Sequence, residues 1–170
     1  MLDWSLLETA LFAFVVLAVG PVGVLVHEVG HAVAARRFGA PVSELVAAPE
    51  GPALSFVVAG VRVRFGLGLG RDLRSQEPHG WVDLAVDELT AEQAIVALRA
   101  GPLAQAVYGA VGCLVVVAVG MPAVPTLLLA SALLGVVGSA LASLRANGRP
   151  GSDGARIAVL RSRQRAARAD

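Results

Sequence analysis

The stretch "TALFAFVVLAVGPVGVLVHEVGHAVAARRF", residues 9–38, starts with a run free of charged side chains from Thr9 to Val26. It then carries His27, Glu28 and His31 before it ends on Arg36 and Arg37. An apolar run of this length reads as a membrane-spanning helix, and the helix is predicted to continue through the histidines to about Phe38. Gly20-Pro21 falls just before them, where a proline removes one backbone hydrogen bond and is expected to kink the helix. Ionisable groups inside a span are costly unless paired, so three of them in one pentapeptide point to a functional site rather than to incidental polarity.

Composition places the whole chain in the same class. Of its 170 residues, 56% are hydrophobic and only 16% charged, and the mean hydropathy is +0.70; a soluble domain of this size carries more charge. One membrane-embedded domain over 1–170 is expected. The second charge-free run, Ala100 to Leu144, is too long for one crossing. "GMPAVP" (120–125) divides it with two prolines and a glycine, which predicts a tight hairpin between two spans. The expected fold is a mainly α membrane protein. It has a core of three transmembrane helices, at about 6–38, 102–120 and 124–145, and a small β-containing cytoplasmic segment between the first and second spans.

All 14 basic residues are arginines, and their positions set the orientation. Arg36 and Arg37 follow the first span, Arg99 precedes the second, and Arg145, Arg149, Arg156 and Arg161 follow the third. The N-terminus and the 120–125 turn have none. The positive-inside rule then puts the N-terminus outside, with residues 39–99 and the C-terminus in the cytoplasm. The start "MLDWSLLETALFAFVV" carries Asp3 and Glu8 and lacks the basic start of a signal peptide, so it reads as part of a retained span. Within 39–99, "LSFVVAGVRVRFGLGLG" predicts one or two short strands, with Val61, Val63 and Phe65 alternating with Arg62 and Arg64. "TAEQ" (90–93) predicts a capping box opening a short helix from Ala91 to about Ala100 that leads into Gly101-Pro102. The basic segment 155–170 reads as a helix or tail, lying on anionic headgroups or simply solvated. No internal repeat and no nucleic-acid-binding motif is present.

His27 and His31 are four positions apart and share one helix face, so two imidazoles can reach one tetrahedral Zn²⁺. Glu28 projects at a neighbouring azimuth, suited to take a proton from water at the metal rather than to bind the metal, as in H-E-x-x-H. A catalytic zinc takes a third protein ligand. His79 in "EPHGW" reads as a surface turn residue. Cys113 lies deep in the second span and reads as a small buried hydrophobe. Glu44 and Glu50 follow a chain reversal at Gly39-Ala40-Pro41. Asp153, between Gly151 and Gly154 where the third span has returned to the cytoplasmic side, is the best candidate, although an ordinary turn aspartate has the same local pattern.

HEVGH followed by "AVAARRFGAPVSEL", then "AGPLAQ" at 100–105 and "SDGARI" at 152–157, resembles the site-2 protease family of intramembrane zinc metalloproteases. The resemblance covers nearly the whole chain. It implies an integral protein of the bacterial plasma membrane with its active site near the cytoplasmic face. His27, His31 and Asp153 would be zinc ligands, Glu28 the general base and acid, and Gly101-Pro102 the start of the second span. Gln105 stands where many members have Asn, and Asn147 and Pro150 sit at shifted distances from Asp153. Gln105 and Asn147 are the residues that the resemblance assigns to substrate. The strand at 61–66, centred on Val63, is expected to pair with an extended substrate. The implied substrate is a transmembrane segment of another membrane protein, single-pass, such as an anti-sigma factor or another membrane-held regulator. Two other classes stay open: a non-catalytic zinc-containing regulatory or scaffold protein, and a small ion or proton transporter component.

Overall fold

The computed structural model describes residues 6–48, 52–66, 80–85, 88–120, 122–145 and 152–167. The chain is mainly helical, and a small sheet lies between its first and second helices. The first helix, α1, runs Leu6–Arg37 without a break at Pro21. The helix continues through Pro21, and the hydrogen bond that proline removes is one of many in a long helix. Arg36 and Arg37 occupy the last turn, where positive charge complements the helix dipole. The end is a Schellman motif. Gly39 takes a left-handed φ of 87°, its N–H donates to the Arg36 carbonyl at 3.0 Å, and the Ala40 N–H donates to the Ala35 carbonyl at 3.1 Å.

Four strands follow: β1 (Val42–Ala47), β2 (Ala53–Val58), β3 (Val61–Gly66) and β4 (Gly80–Leu84). They form one sheet in the order β2-β3-β1-β4, with β1 and β3 parallel and the other pairs antiparallel. Ala59 and Gly60 both have positive φ and close the β2–β3 hairpin in the manner of a two-residue turn. Val61 and Val63 are buried and Arg62 and Arg64 exposed, the alternation that the sequence predicts. The apolar face of the sheet (Val42, Leu45, Ala47, Val61, Val63) packs on Ala32 and Ala35 of α1. Arg36 Nη2 donates to the Ala59 carbonyl at 2.8 Å, tying the end of α1 to the hairpin.

The second helix, α2, runs Ala91–Val119 as one element. Thr90 and Gln93 form the capping box, with the Thr90 N–H donating to Gln93 Oε1 at 2.9 Å and the Gln93 N–H to Thr90 Oγ1 at 3.3 Å. The helix does not restart at Gly101-Pro102. Pro102 is fully buried, so its ring contributes packing at the point where it removes a donor. α3 covers Ala123–Ser143, and α4, Asp153–Ala166, starts from an N-cap at Ser152. Phe12–Arg37, Ala91–Val119 and Ala123–Ser143 are long and apolar enough to cross a membrane. Their outer faces expose Leu17, Leu103, Leu114, Leu127 and Leu134, the reverse of what water favours and suited to lipid.

Candidate metal centre

The site forms where α1, α2 and the start of α4 meet. On α2, buried Ala97, Gly101, Gln105 and Gly109 recur every fourth residue, a stripe of small residues broken by one amide. Such a stripe lets helices approach closely. A Cβ at Gly101 would clash with the His31 ring, 2.8 Å from Cδ2 and nearer still to Nε2, and one at Gly30 would meet the Ala100 carbonyl at 2.6 Å. These glycines are therefore what admits the histidine between α1 and α2. α4 begins against the end of α3 in the same way, because a Cβ at Gly154 would meet the backbone of Leu144 and Arg145. That contact puts Asp153, the first residue of α4, over the two imidazoles.

His27 Nε2 lies 3.1 Å from Asp153 Oδ2, and His31 Nε2 lies 3.4 Å from Asp153 Oδ1. The two Nε2 atoms are 3.0 Å apart, and the rings stand nearly perpendicular, at 80°. Ligands of a tetrahedral zinc at about 2.0–2.1 Å are themselves about 3.3 Å apart. The three donor atoms thus lie at the mutual spacing that one such ion needs. Among the described residues they form the one group of three or more His, Cys, Asp or Glu side chains able to hold a metal.

The outer ring nitrogens decide the chemistry of the inner ones. His31 Nδ1 is 2.8 Å from the Ala97 carbonyl, and His27 Nδ1 is 2.8 Å from Gln105 Oε1. A carbonyl oxygen only accepts, so each Nδ1 carries a hydrogen and each neutral ring turns its Nε2 lone pair inward. Two lone pairs and a carboxylate facing one another need a cation between them, either a metal or a proton on one imidazole. Burial by itself would raise the Asp153 carboxyl. Hydrogen bonds and charge from His27 and His31, when those rings are protonated, outweigh it and hold the group below the usual carboxylate range. With a proton on either ring, Asp153 is therefore an ionised carboxylate near neutrality. The donor set, two imidazoles and one carboxylate with each ring held from behind, fits zinc.

Glu28 is only 6% exposed and lies outside the converging group of three. A Cβ at Gly80, at the start of β4, would lie 3.0 Å from the Glu28 Cγ, so this glycine leaves the room that the side chain occupies. The Glu28 carboxylate is thus buried beside the three converging side chains but not among them.

Other residues singled out in the sequence lie elsewhere. Val63 belongs to the sheet core, and β3 is paired on both sides, so it has no free edge for an added strand; β2 and β4 hold the edges. Gln105 is buried with both ends of its amide engaged within the chain. Glu44 faces a surface groove with Ser43, Arg62 and Asp83. Cys113 sits between α2 and α3, its thiol 3.8 Å from the Ala130 carbonyl. Asn147, Pro150, His79 and Glu50 lie outside the described residues. Sequence reading did not find the Ala97 carbonyl and Ser139 as partners behind the site; the four-residue stripe on α2 was the available signal for the first.

No family model matches the chain, and no curated protein matches it.

Proposed function

We propose that this protein is an intramembrane zinc endopeptidase that cuts transmembrane segments of other membrane proteins near the cytoplasmic face. The observation that carries the reading is the convergence of His27 Nε2, His31 Nε2 and the Asp153 carboxylate beside buried Glu28. α1 and α4 bring them together, and α1 is apolar enough to span a bilayer. The sequence resemblance to the site-2 protease family supports the same reading and adds the substrate class, a membrane-held regulator such as an anti-sigma factor. The arginines that follow α1 and α3 support a cytoplasmic position for the site.

A zinc ion held there would supply Lewis-acid polarisation of a carbonyl and acidify a water. His27, His31 and Asp153 would hold it and leave one position open. Glu28 takes a proton from the water that attacks the scissile carbonyl carbon and delivers it to the leaving nitrogen as the C–N bond breaks. A helical substrate must unwind locally first, because its carbonyls are otherwise hydrogen-bonded. An extended segment can pair only at a free edge, and β2, exposed along its length, offers one.

Zinc analysis of the purified protein and cleavage by Glu28→Gln test this reading. The expected result is about one zinc per chain in both forms, with cleavage abolished in the variant. No zinc in the unaltered protein would favour the transporter class. Zinc without cleavage of any transmembrane substrate by the unaltered protein would favour the scaffold. Cleavage by Glu28→Gln would remove Glu28 as the base.

A further inference from the structure

His31 and His27 are held from behind by different kinds of carbonyl. The partner of His31 is the backbone of Ala97, which cannot turn around. The partner of His27 is the amide of Gln105, whose oxygen and nitrogen ends have nearly the same shape. Rotated by half a turn, that amide would offer Nε2 to His27 Nδ1. Nδ1 would then have to accept, the ring hydrogen would move to the inner Nε2, and His27 would present a donor where a ligand is needed.

Ser139 on α3 decides between the two orientations. Its hydroxyl donates to the Val136 carbonyl at 2.9 Å, which commits its only hydrogen. Its oxygen can then only accept, and it does so from Gln105 Nε2 at 3.1 Å. Every bond in the series runs one way: His27 Nδ1–H to Gln105 Oε1, Gln105 Nε2–H to Ser139 Oγ, Ser139 Oγ–H to the Val136 carbonyl. Among the described residues, the series links all three helices that are apolar enough to span a membrane.

We propose that Gln105 and Ser139 form a directional hydrogen-bond relay that locks His27 in its metal-binding tautomer, with Ser139 as a positioning residue that never touches the metal. This rests on the metal reading of the site. It also gives Gln105 a role inside the protein in place of the substrate contact expected from the sequence.

The test is zinc affinity of the purified full chain, by competition with a chromophoric chelator, and the d–d spectrum of the cobalt-substituted form. Ser139→Thr and Ser139→Val have nearly the same shape, but only threonine keeps the hydroxyl. Thr is expected to retain affinity and spectrum. Val is expected to lose about 10-fold or more, in the range for partners that orient a metal-bound histidine, with a weakened cobalt band. In a Gln105→Glu background the carboxylate accepts from His27 in either orientation, so adding Ser139→Val should change affinity by less than about 2-fold. Equal effects of Thr and Val, or the same loss from Val in both backgrounds, would reduce Ser139 to packing and overturn the relay. If the unaltered protein bound no metal, the metal reading itself would fall and the relay with it. Binding by the unaltered protein with no difference between the variants overturns the relay alone.

Discussion

Gly101→Ala adds one methyl group at the point where α2 meets His31. The new Cβ would lie 2.8 Å from His31 Cδ2 and closer to Nε2 and Cε1. Ordinary carbon contacts need about 3.5–4.0 Å, so the ring or the whole of α2 must move by about 1 Å. A ligand distance tolerates about 0.2 Å, so a shift of that size takes His31 Nε2 out of the shared position. It also strains the Nδ1 hydrogen bond to the Ala97 carbonyl. Overpacking of this kind costs about 1–3 kcal/mol of stability, while the effect on the metal is larger because one of three ligands is misplaced. Zinc affinity is expected to fall by at least about 100-fold, beyond the usual loss from outer partners. Gly135→Ala is the control, since a Cβ there meets nothing within 4 Å. It should leave zinc binding intact and stabilise α3 by up to about 1 kcal/mol. The assay is chelator competition at equal folded fraction, judged by thermal unfolding in detergent. Unchanged zinc affinity in Gly101→Ala would refute the packing of His31 against α2 on which the site is built.

Asp153→Ala should cut bound zinc sharply, and full occupancy by elemental analysis would remove Asp153 as a ligand. Thr90→Ala removes the cap of α2 and is expected to cost about 1 kcal/mol; because the cap lies more than a turn before Ala97, thermal stability should fall while zinc affinity stays. Ala59 sits at a φ of 50°, a conformation that costs a residue with a Cβ about 1–2 kcal/mol. Ala59→Gly is therefore expected to raise the unfolding midpoint slightly, and a lowered midpoint would contradict the hairpin geometry.

Signals that lie within one element were legible in the sequence. Charge-free runs marked the three long helices, Thr90 and Gln93 marked the start of α2, and the Val–Arg alternation marked β3. What failed depended on partners distant in the chain. β1, "VSELVA", is buried at four of its six positions, so it lacks the alternation by which a half-exposed strand is recognised. Strand order has no local signature at all, and for that reason Val63 was expected at an edge while β1 and β2 flank its strand on both sides. Gly101-Pro102 read as a boundary because proline usually ends a soluble helix, whereas α2 runs through it with the ring buried. Gln105 is assigned to substrate by the resemblance alone; its bond to Ser139 on α3, 34 positions away, has no local sign in the sequence.

Asp153, far from the histidines in sequence, was nevertheless readable, and physical reasons explain the difference. A hairpin of two long helices returns the chain to the level from which it left, so topology rather than local pattern specifies where α4 starts. The entropic cost of closing so long a loop grows only slowly with length, by about 0.6 kcal/mol for each doubling. A ligand from the far end is therefore scarcely more costly than one close by. Its place at the first position of α4 adds a second advantage, because the helix N-terminus favours a negative charge. The carboxylate is thus partly stabilised without a cation, and a bound ion, on the proposed reading, would resolve the confrontation of three acceptors. On the proposed metal reading, ion binding and docking of α4 against α2 would be one coupled equilibrium: what loosens α4 would weaken the site, and a filled site would hold α4 in place.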